Sequence, residues 1–263
     1  MPVATRSQFI ALFGDPQPIK SHIEGEYLVS RNWFSQSVVR VASEKFSQLG
    51  AFYLHYKVVL ALYAVFEDLS ADTTLINIST YYPRDSRESK TKYTPDSWKG
   101  HLLAVALDLN HTKPLNQFNR NRDAAVEAAK AKYGEENWMW FDQPATLVKT
   151  MKSNGFIWGG DWTSKVDPMH FEPSSTFSSS VSSKKDLIKI MKEKDPNVLK
   201  IVSENPDGWN LYDDASKEMI QQMEALQPVL PSQATLKAQA LTLSEKASST
   251  VTKLVTLYPG PSM

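Results

Sequence analysis

The chain has 263 residues, which suits one medium-sized domain or one domain with an appendage, and 41% of them are hydrophobic, enough for a packed core. Its 29 basic and 29 acidic residues cancel, so no net field attracts the protein to nucleic acid or to anionic lipid. Cysteine is absent, which excludes disulfides and thiolate ligands and leaves histidines and carboxylates as candidate metal ligands.

The N-terminal part predicts no targeting or membrane signal. The start, "MPVATRSQFIALFGDP", has one Arg and a short apolar patch but no long apolar core and no small-residue cleavage site. We therefore expect no signal peptide and synthesis in the cytoplasm. The most apolar stretch, residues 51–66, contains His55 and Lys57 and is shorter than a bilayer span, so we expect no stable membrane insertion.

Hydrophobic periodicity predicts a core helix and two strands in the first half of the chain. Apolar residues recur every three to four positions over residues 41–69, which is typical of a helix. Residues 74–80 alternate as a strand does. The run 101–110, "HLLAVALDLN", is apolar almost throughout, as expected of a strand buried on both faces.

Two more helices and a strand follow. Residues 121–133 are rich in Ala and are followed by Gly134, while residues 144–155 begin with Pro and end with Asn-Gly, so both segments are predicted to be helical. A strand is expected at Phe156–Trp158. The pattern predicts an α+β fold, with flanking helices around a small mixed or antiparallel sheet.

The composition changes near residue 174. Residues 175–183 are rich in Ser and have no periodicity, which predicts a linker. The remainder, 184–263, is interpreted as a mainly helical region of unknown role, because segments such as 213–227 place their apolar residues on one face. We expect the main domain to span residues 1–174.

The first candidates for chemistry lie in the apolar run. A carboxylate at Asp108 loses hydration there, so it must be paired, metal-bound or neutralised; alternatively it is a structural Asp near a strand end, which Asn110 helps to cap. His101 lies seven residues earlier, which on a straight strand is about 23 Å away. Sharing one ion therefore requires a sharp bend, for which Gly100 and Ala104 are small enough.

The segment 155–173, "GFIWGGDWTSKVDPMHFEP", contains the other candidates. Asp167 precedes His170 by three residues, and the intervening Pro168 predicts a turn that brings them together. Glu172 shares a face with His170 if the segment is extended, so it can orient the imidazole or cap the strand. Catalytic zinc sites use three His, Asp or Glu ligands and need a nearby acid to take a proton from water.

The two segments resemble the zinc D-alanyl-D-alanine carboxypeptidase and L-alanyl-D-glutamate endopeptidase family, which includes peptidoglycan-cleaving phage endolysins. That family pairs a His-x6-Asp segment, usually followed by Asn two residues on, with a later Gly-Phe-x-Trp-Gly-Gly-Asp-Trp segment ending in Asp-x-Met-His-Phe-Glu. Here the first is His101–Asp108 with Asn110, and the second is the nearly complete 155–172. The resemblance covers about residues 10–174.

The resemblance implies a ligand set and a base. His101, Asp108 and His170 are expected to bind Zn²⁺, and Asp167 to act as general base on the zinc-bound water. Ala104 departs from the family, which usually has Gly there, and an Ala is expected to make the bend only with negative φ.

Further site residues are implied around these. A Tyr-x-x-Arg segment, here Tyr81–Arg84, usually supplies an Arg that holds the substrate or stabilises the oxyanion. Arg87 is a second candidate, because the loop from Arg to the first His is longer than usual. Glu172, Trp158 and Asp161 are expected around the ligands or in the substrate cleft, with Trp158 packing and Asp161 holding the Gly-Gly-Asp-Trp turn. His111 lies close enough to Asp108 to remain an alternative ligand.

The function implied by the resemblance is a zinc metallopeptidase, with residues 1–174 as its catalytic domain. It would hydrolyse amide bonds in peptidoglycan stem peptides, either as a D-Ala-D-Ala carboxypeptidase or as an L-Ala-D-Glu endopeptidase. Its site of action would be the cell wall, in the periplasm or outside, after release from the cytoplasm or transport by delivery machinery. The alternative is a non-catalytic cell-wall binding protein on the same scaffold.

Overall fold

The computed structural model describes residues 4–20, 27–80, 100–206 and 211–212, all of them within one compact unit that spans Met1–Asp213. These residues form six α-helices: α1 (Arg6–Phe13), α2 (Arg31–Ser37), α3 (Tyr56–Asp68), α4 (Arg122–Tyr133), α5 (Ala145–Ser153) and α6 (Lys184–Met191). They also form ten strands: β1 (Ile19–Lys20), β2 (Tyr27–Ser30), β3 (Val38–Ala42), β4 (Ala51–His55), β5 (Ile78–Ser79), β6 (Leu107–Leu109), β7 (Phe156–Trp158), β8 (His170–Pro173), β9 (Lys200–Ser203) and β10 (Leu211–Tyr212).

A four-stranded antiparallel sheet, in the order β5-β6-β8-β7, carries both sequence segments that matter for chemistry. Strands β6 and β8 pair with Asp108 opposite His170, and β8 and β7 pair with Phe171 opposite Trp158. All residues of β6, β7 and β8 are buried, so these three strands lie inside the core, while the edge strand β5 is partly exposed. The predicted α+β fold class is confirmed.

A second antiparallel sheet, in the order β4-β3-β9, and a third, β1-β2-β10, complete the strands. Helix α3 starts where β4 ends, because the His55 side chain accepts a hydrogen bond from the Lys57 amide and caps the helix. The helix buries its apolar face against α5 and α6. Among the residues that the structure describes, no helix is long and apolar enough to cross a bilayer.

The predicted helix over residues 41–69 is wrong in its first half. Strand β3 ends at Ala42 and strand β4 occupies Ala51–His55, so only Tyr56–Asp68 is α-helical, apart from a short 3-10 turn at Ser47–Leu49. Gly50, with φ of 65°, turns the chain between the two strands. The apolar residues of β4 happen to continue the helical spacing of α3, which hid the boundary at His55.

The two strands predicted next are shorter than expected. Only Ile78–Ser79 of residues 74–80 and Leu107–Leu109 of residues 101–110 are strands, and His101–Ala104 forms a turn. Helices α4 and α5 and strand β7 confirm the three later predictions, including the stop at Gly134, where φ is 79°.

Residues beyond 174 contribute to the same compact unit. The Phe177 ring lies 5.9 Å from the ring of Phe156, and Val181 is buried. Helix α6 falls in the region predicted to be helical, whereas β9 was not predicted and pairs with β3. The domain end near residue 174 stays a prediction, and these contacts favour a later end. The predicted helix at 213–227 lies outside the described residues.

Candidate metal centre

Three structural elements bring His101, Asp108 and His170 together. Asp108 lies on β6 directly opposite His170 on β8, so the sheet register alone makes these two side chains neighbours. His101 joins them through the turn that precedes β6, where the amides of Val105 and Ala106 both donate to the Gly100 carbonyl, at 2.9 and 3.2 Å. The bend required by the sequence is therefore present.

Ala104 makes this bend with φ of +54°, so the expectation of a negative φ is wrong. A left-handed Ala costs about 1–2 kcal/mol relative to its ordinary conformation. Surrounding contacts hold it: the Ala104 amide donates to the His101 carbonyl at 3.1 Å, and its own carbonyl accepts from the His55 amide at 2.8 Å. The side chain is fully buried. The chain thus tolerates Ala where the family usually has Gly.

The three potential metal-ligand atoms that face each other form a nearly equilateral triangle. His101 Nε2 lies 3.2 Å from Asp108 Oδ1 and 3.2 Å from His170 Nδ1, and His170 Nδ1 lies 3.1 Å from Asp108 Oδ1. Ligands held about 2.1 Å from a tetrahedral zinc ion are about 3.4 Å apart. The spacing of this His-Asp-His cluster therefore fits a zinc ion with one position left open, and it is the one group of potential metal ligands within the described ranges.

Each imidazole of the cluster is held from outside by an oxygen acceptor. His101 Nδ1 lies 2.6 Å from the Thr80 carbonyl oxygen, and His170 Nε2 lies 3.3 Å from Glu172 Oε2. With a metal ion bound, an N–H on each outer nitrogen would leave the lone pair of the inner nitrogen directed at the centre of the cluster, as is usual for metal-bound histidines. Glu172 is 2% exposed and lies beside His170, and its role in orienting the imidazole stays a prediction.

The electrostatics of the cluster favour a cation. Burial by itself raises the pKa of Asp108, but the facing imidazoles of His101 and His170 outweigh it and hold this pKa well below its usual range. Burial lowers the pKa of His170, yet the neighbouring carboxylates of Asp108 and Glu172 dominate and raise it to about 10. Two carboxylates thus stabilise positive charge at the cluster, and a divalent cation would supply such a charge.

Asp167 and His170 share one turn, as Pro168 predicted. The His170 amide donates to the Asp167 carbonyl at 2.9 Å, and the Asp167 amide donates to the Gly159 carbonyl at 3.0 Å. A Cβ on Gly159 would clash with the Asp167 backbone, which explains the glycine. The Trp162 ring lies 5.5 Å from the His170 ring and covers one side of it. The role of Asp167 as a base stays a prediction.

The other residues of the aromatic segment support the site. Trp158 is 2% exposed, donates through Nε1 to the Pro168 carbonyl at 2.7 Å and stacks on Phe171, so it packs rather than offering a face to a sugar. Asp161 pairs with Lys152 of α5 at 2.7 Å. It is therefore anchored to the neighbouring helix.

Several predicted residues take no observed part in the cluster. Tyr81, Arg84 and Arg87 lie outside the described residues. His111 is not part of the His-Asp-His cluster, so the structure does not favour it as an alternative ligand. Thr80 was not predicted, and no sequence pattern marks it, because its backbone carbonyl rather than its side chain contacts His101.

The fold and the cluster define an α+β protein with a candidate metal centre. A family model described as D-alanyl-D-alanine carboxypeptidase matches residues 94–173, a range that contains the whole cluster together with Asp167 and Glu172. The resemblance seen in the sequence is confirmed over this range, and it supports a peptidase of the carboxypeptidase type. Comparison with curated proteins and with solved structures finds no match.

Proposed function

We propose that the protein is a zinc metallopeptidase that hydrolyses amide bonds in the stem peptides of peptidoglycan. The observation that carries this proposal is the triangle of donor atoms, with edges of 3.1 to 3.2 Å, inside the range that matches the carboxypeptidase family. Two nitrogens and one carboxylate oxygen form a ligand set found in catalytic zinc sites, which keep a fourth position for water or substrate.

Zinc held by His101, Asp108 and His170 would polarise the scissile carbonyl and lower the pKa of its water. Asp167 takes a proton from the attacking water and delivers it to the leaving amine nitrogen as the C–N bond breaks. Its position supports this role, since a single turn connects it to His170. Arg84 or Arg87 grips a substrate carboxylate or the developing oxyanion with two donors.

The choice between carboxypeptidase and endopeptidase is tested by the products. Zinc-loaded protein is incubated with purified muropeptides, and the products are identified by mass spectrometry. Loss of a terminal D-alanine identifies a carboxypeptidase, and cleavage between L-alanine and D-glutamate identifies an endopeptidase. Cleavage should vanish in His170→Ala and persist in His111→Ala. Unchanged cleavage in His170→Ala, or no cleavage by the wild type, would contradict the proposal.

The alternative of a non-catalytic wall-binding protein rests on Ala104. Because Ala104 adopts the required bend and the cluster is assembled around it, this residue does not favour the alternative. Zinc-loaded protein that binds purified cell wall tightly but releases no product from it would support wall binding instead.

We further propose that the protein reaches the wall only after release or delivery from the cytoplasm. Expression in the bacterial cytoplasm should leave cells intact, whereas the same protein fused to an export signal should lyse them. The fusion carrying His170→Ala is the control, and lysis by that variant would show that hydrolysis is not the cause.

A further inference from the structure

The Gln143 side chain lies between the two segments that carry the candidate site. Its Nε2 donates to the Leu109 carbonyl at 2.7 Å and to the Pro168 carbonyl at 3.0 Å, and its Oε1 accepts from Asn110 Nδ2 at 3.0 Å. Leu109 directly follows the ligand Asp108, and Pro168 directly follows Asp167. Gln143 is 5% exposed, so these bonds are shielded from water. One amide group thus connects the strand of a ligand to the turn of the candidate base.

The connection fills a gap in the hydrogen-bond ladder. Leu109 donates through its amide to the Met169 carbonyl at 2.8 Å, but the Met169 amide donates to the Asn116 carbonyl at 3.1 Å instead of returning the bond. The Leu109 carbonyl is left to the side chain of Gln143. Pro168 has no N–H to offer it. Where β6 and β8 separate, Gln143 thus supplies the donor for the Leu109 carbonyl and shares the Pro168 carbonyl with Trp158 Nε1, which donates to it at 2.7 Å.

We propose that Gln143 is a positioning residue that sets the place of Asp167 relative to the His-Asp-His cluster. This inference rests on the proposed function, in which Asp167 handles the proton. A misplacement of about 1 Å in a reacting group can lower a rate by about 100-fold. The Leu109 amide already joins this turn to β6 at the Met169 carbonyl, and Gln143 adds a second connection at Pro168, directly beside Asp167.

The chemistry of the contacts requires an amide. A carboxylate of the same shape would set acceptors against the Leu109 and Pro168 carbonyls, and a thioether would leave both without this donor. An amide with two N–H groups and a carbonyl oxygen satisfies all three contacts. Gln143→Glu and Gln143→Met therefore remove the connection while conserving size, and Gln143→Asn keeps the amide but shortens its reach.

The experiment compares zinc-loaded wild type, Gln143→Met and Gln143→Asn, with Gln117→Met as a control at an exposed Gln. Bound zinc, kcat, KM and hydrogen exchange of the peptide covering residues 166–172 are measured. In Gln143→Met we expect one bound zinc, kcat about 10- to 100-fold lower, KM within about 3-fold, and faster exchange at Met169 and His170. Gln143→Asn should fall between this variant and the wild type, and Gln117→Met should match the wild type.

Two results would overturn the inference: a kcat within about 2-fold of wild type in zinc-loaded Gln143→Met, or unchanged hydrogen exchange in the 166–172 peptide. If Gln143→Met does not fold, Gln143→Asn decides by the same criteria. A wild type that binds zinc but cleaves no muropeptide would refute the proposed function instead. The exchange measurement then still decides whether Gln143 holds the turn.

Discussion

Acidification from pH 7 to pH 5 should destabilise the protein by about 2 kcal/mol through His55. This side chain is 1% exposed and satisfied as a neutral imidazole, because Nε2–H donates to the Phe13 carbonyl at 3.0 Å and Nδ1 accepts from the Lys57 amide at 3.2 Å. Burial is the main reason why its pKa falls from 6.5 to about 3. The unfolded chain therefore takes up a proton at pH 5 that the folded chain does not.

The magnitude follows from linkage. A base with a depressed folded pKa contributes stability that is fully present above its unfolded pKa and is lost as the pH falls towards its folded pKa. Because pH 5 lies about 1.5 units below 6.5 and each unit corresponds to about 1.36 kcal/mol, the loss by pH 5 is about 2 kcal/mol.

The assay is urea unfolding of wild type and His55→Asn, followed by circular dichroism between pH 5 and pH 7. Asn can still cap α3, so the variant should lose some stability at every pH but lack this part of the pH dependence. Contributions from Asp108 and His170 are common to both proteins and cancel in the difference. A difference in unfolding free energy that does not change between pH 7 and pH 5 would refute the reasoning.

Three further predictions concern the metal centre and the domain end. Glu172→Gln should weaken zinc binding about 10- to 100-fold in a chelator competition, whereas Glu127→Gln, at an exposed position, should not. Equal zinc affinities of Glu172→Gln and the wild type would contradict the role of Glu172. Ala104→Gly should leave the unfolding free energy unchanged or raise it by up to about 1 kcal/mol. Gly relieves the left-handed strain, but it has a more flexible unfolded chain and lacks the buried methyl group. A decrease of more than about 1 kcal/mol would contradict the claim that Ala104 is strained. A chain ending at residue 174 should have a lower Tm than one ending at 213, because it lacks β9 and uncovers β3; equal Tm values would support the earlier boundary.

The sequence was most informative for elements that local signals delimit and for the site that carries recognisable motifs. The Asn121 cap and the stop at Gly134 delimit α4 without help from distant contacts. The cluster was expected because the two segments resemble the motifs of a known zinc peptidase family, whereas the spacing of His101 and Asp108 alone is a weak signal. The structure adds that their donor atoms lie within reach of one ion.

The errors occurred where distant contacts decide the local structure. Residues 51–55 become β4 because they pair with β3, although their apolar spacing continues into α3. The φ of Ala104 is imposed by its hydrogen bonds to His101 and His55, and a single residue's propensity predicts the opposite sign. Strand β9 pairs with residues about 160 positions away, a separation that no window of sequence detects.

The most direct test of the central claim is the restoration of peptide cleavage by zinc. Protein stripped of metal is titrated with zinc, and the bound zinc and the rate of muropeptide cleavage are measured on the same samples. We expect no cleavage without zinc and a rate that rises in proportion to bound zinc up to one ion per chain, with no rise in His101→Ala. Cleavage by the stripped protein, or one bound zinc per chain without cleavage of any amide bond, would contradict the account.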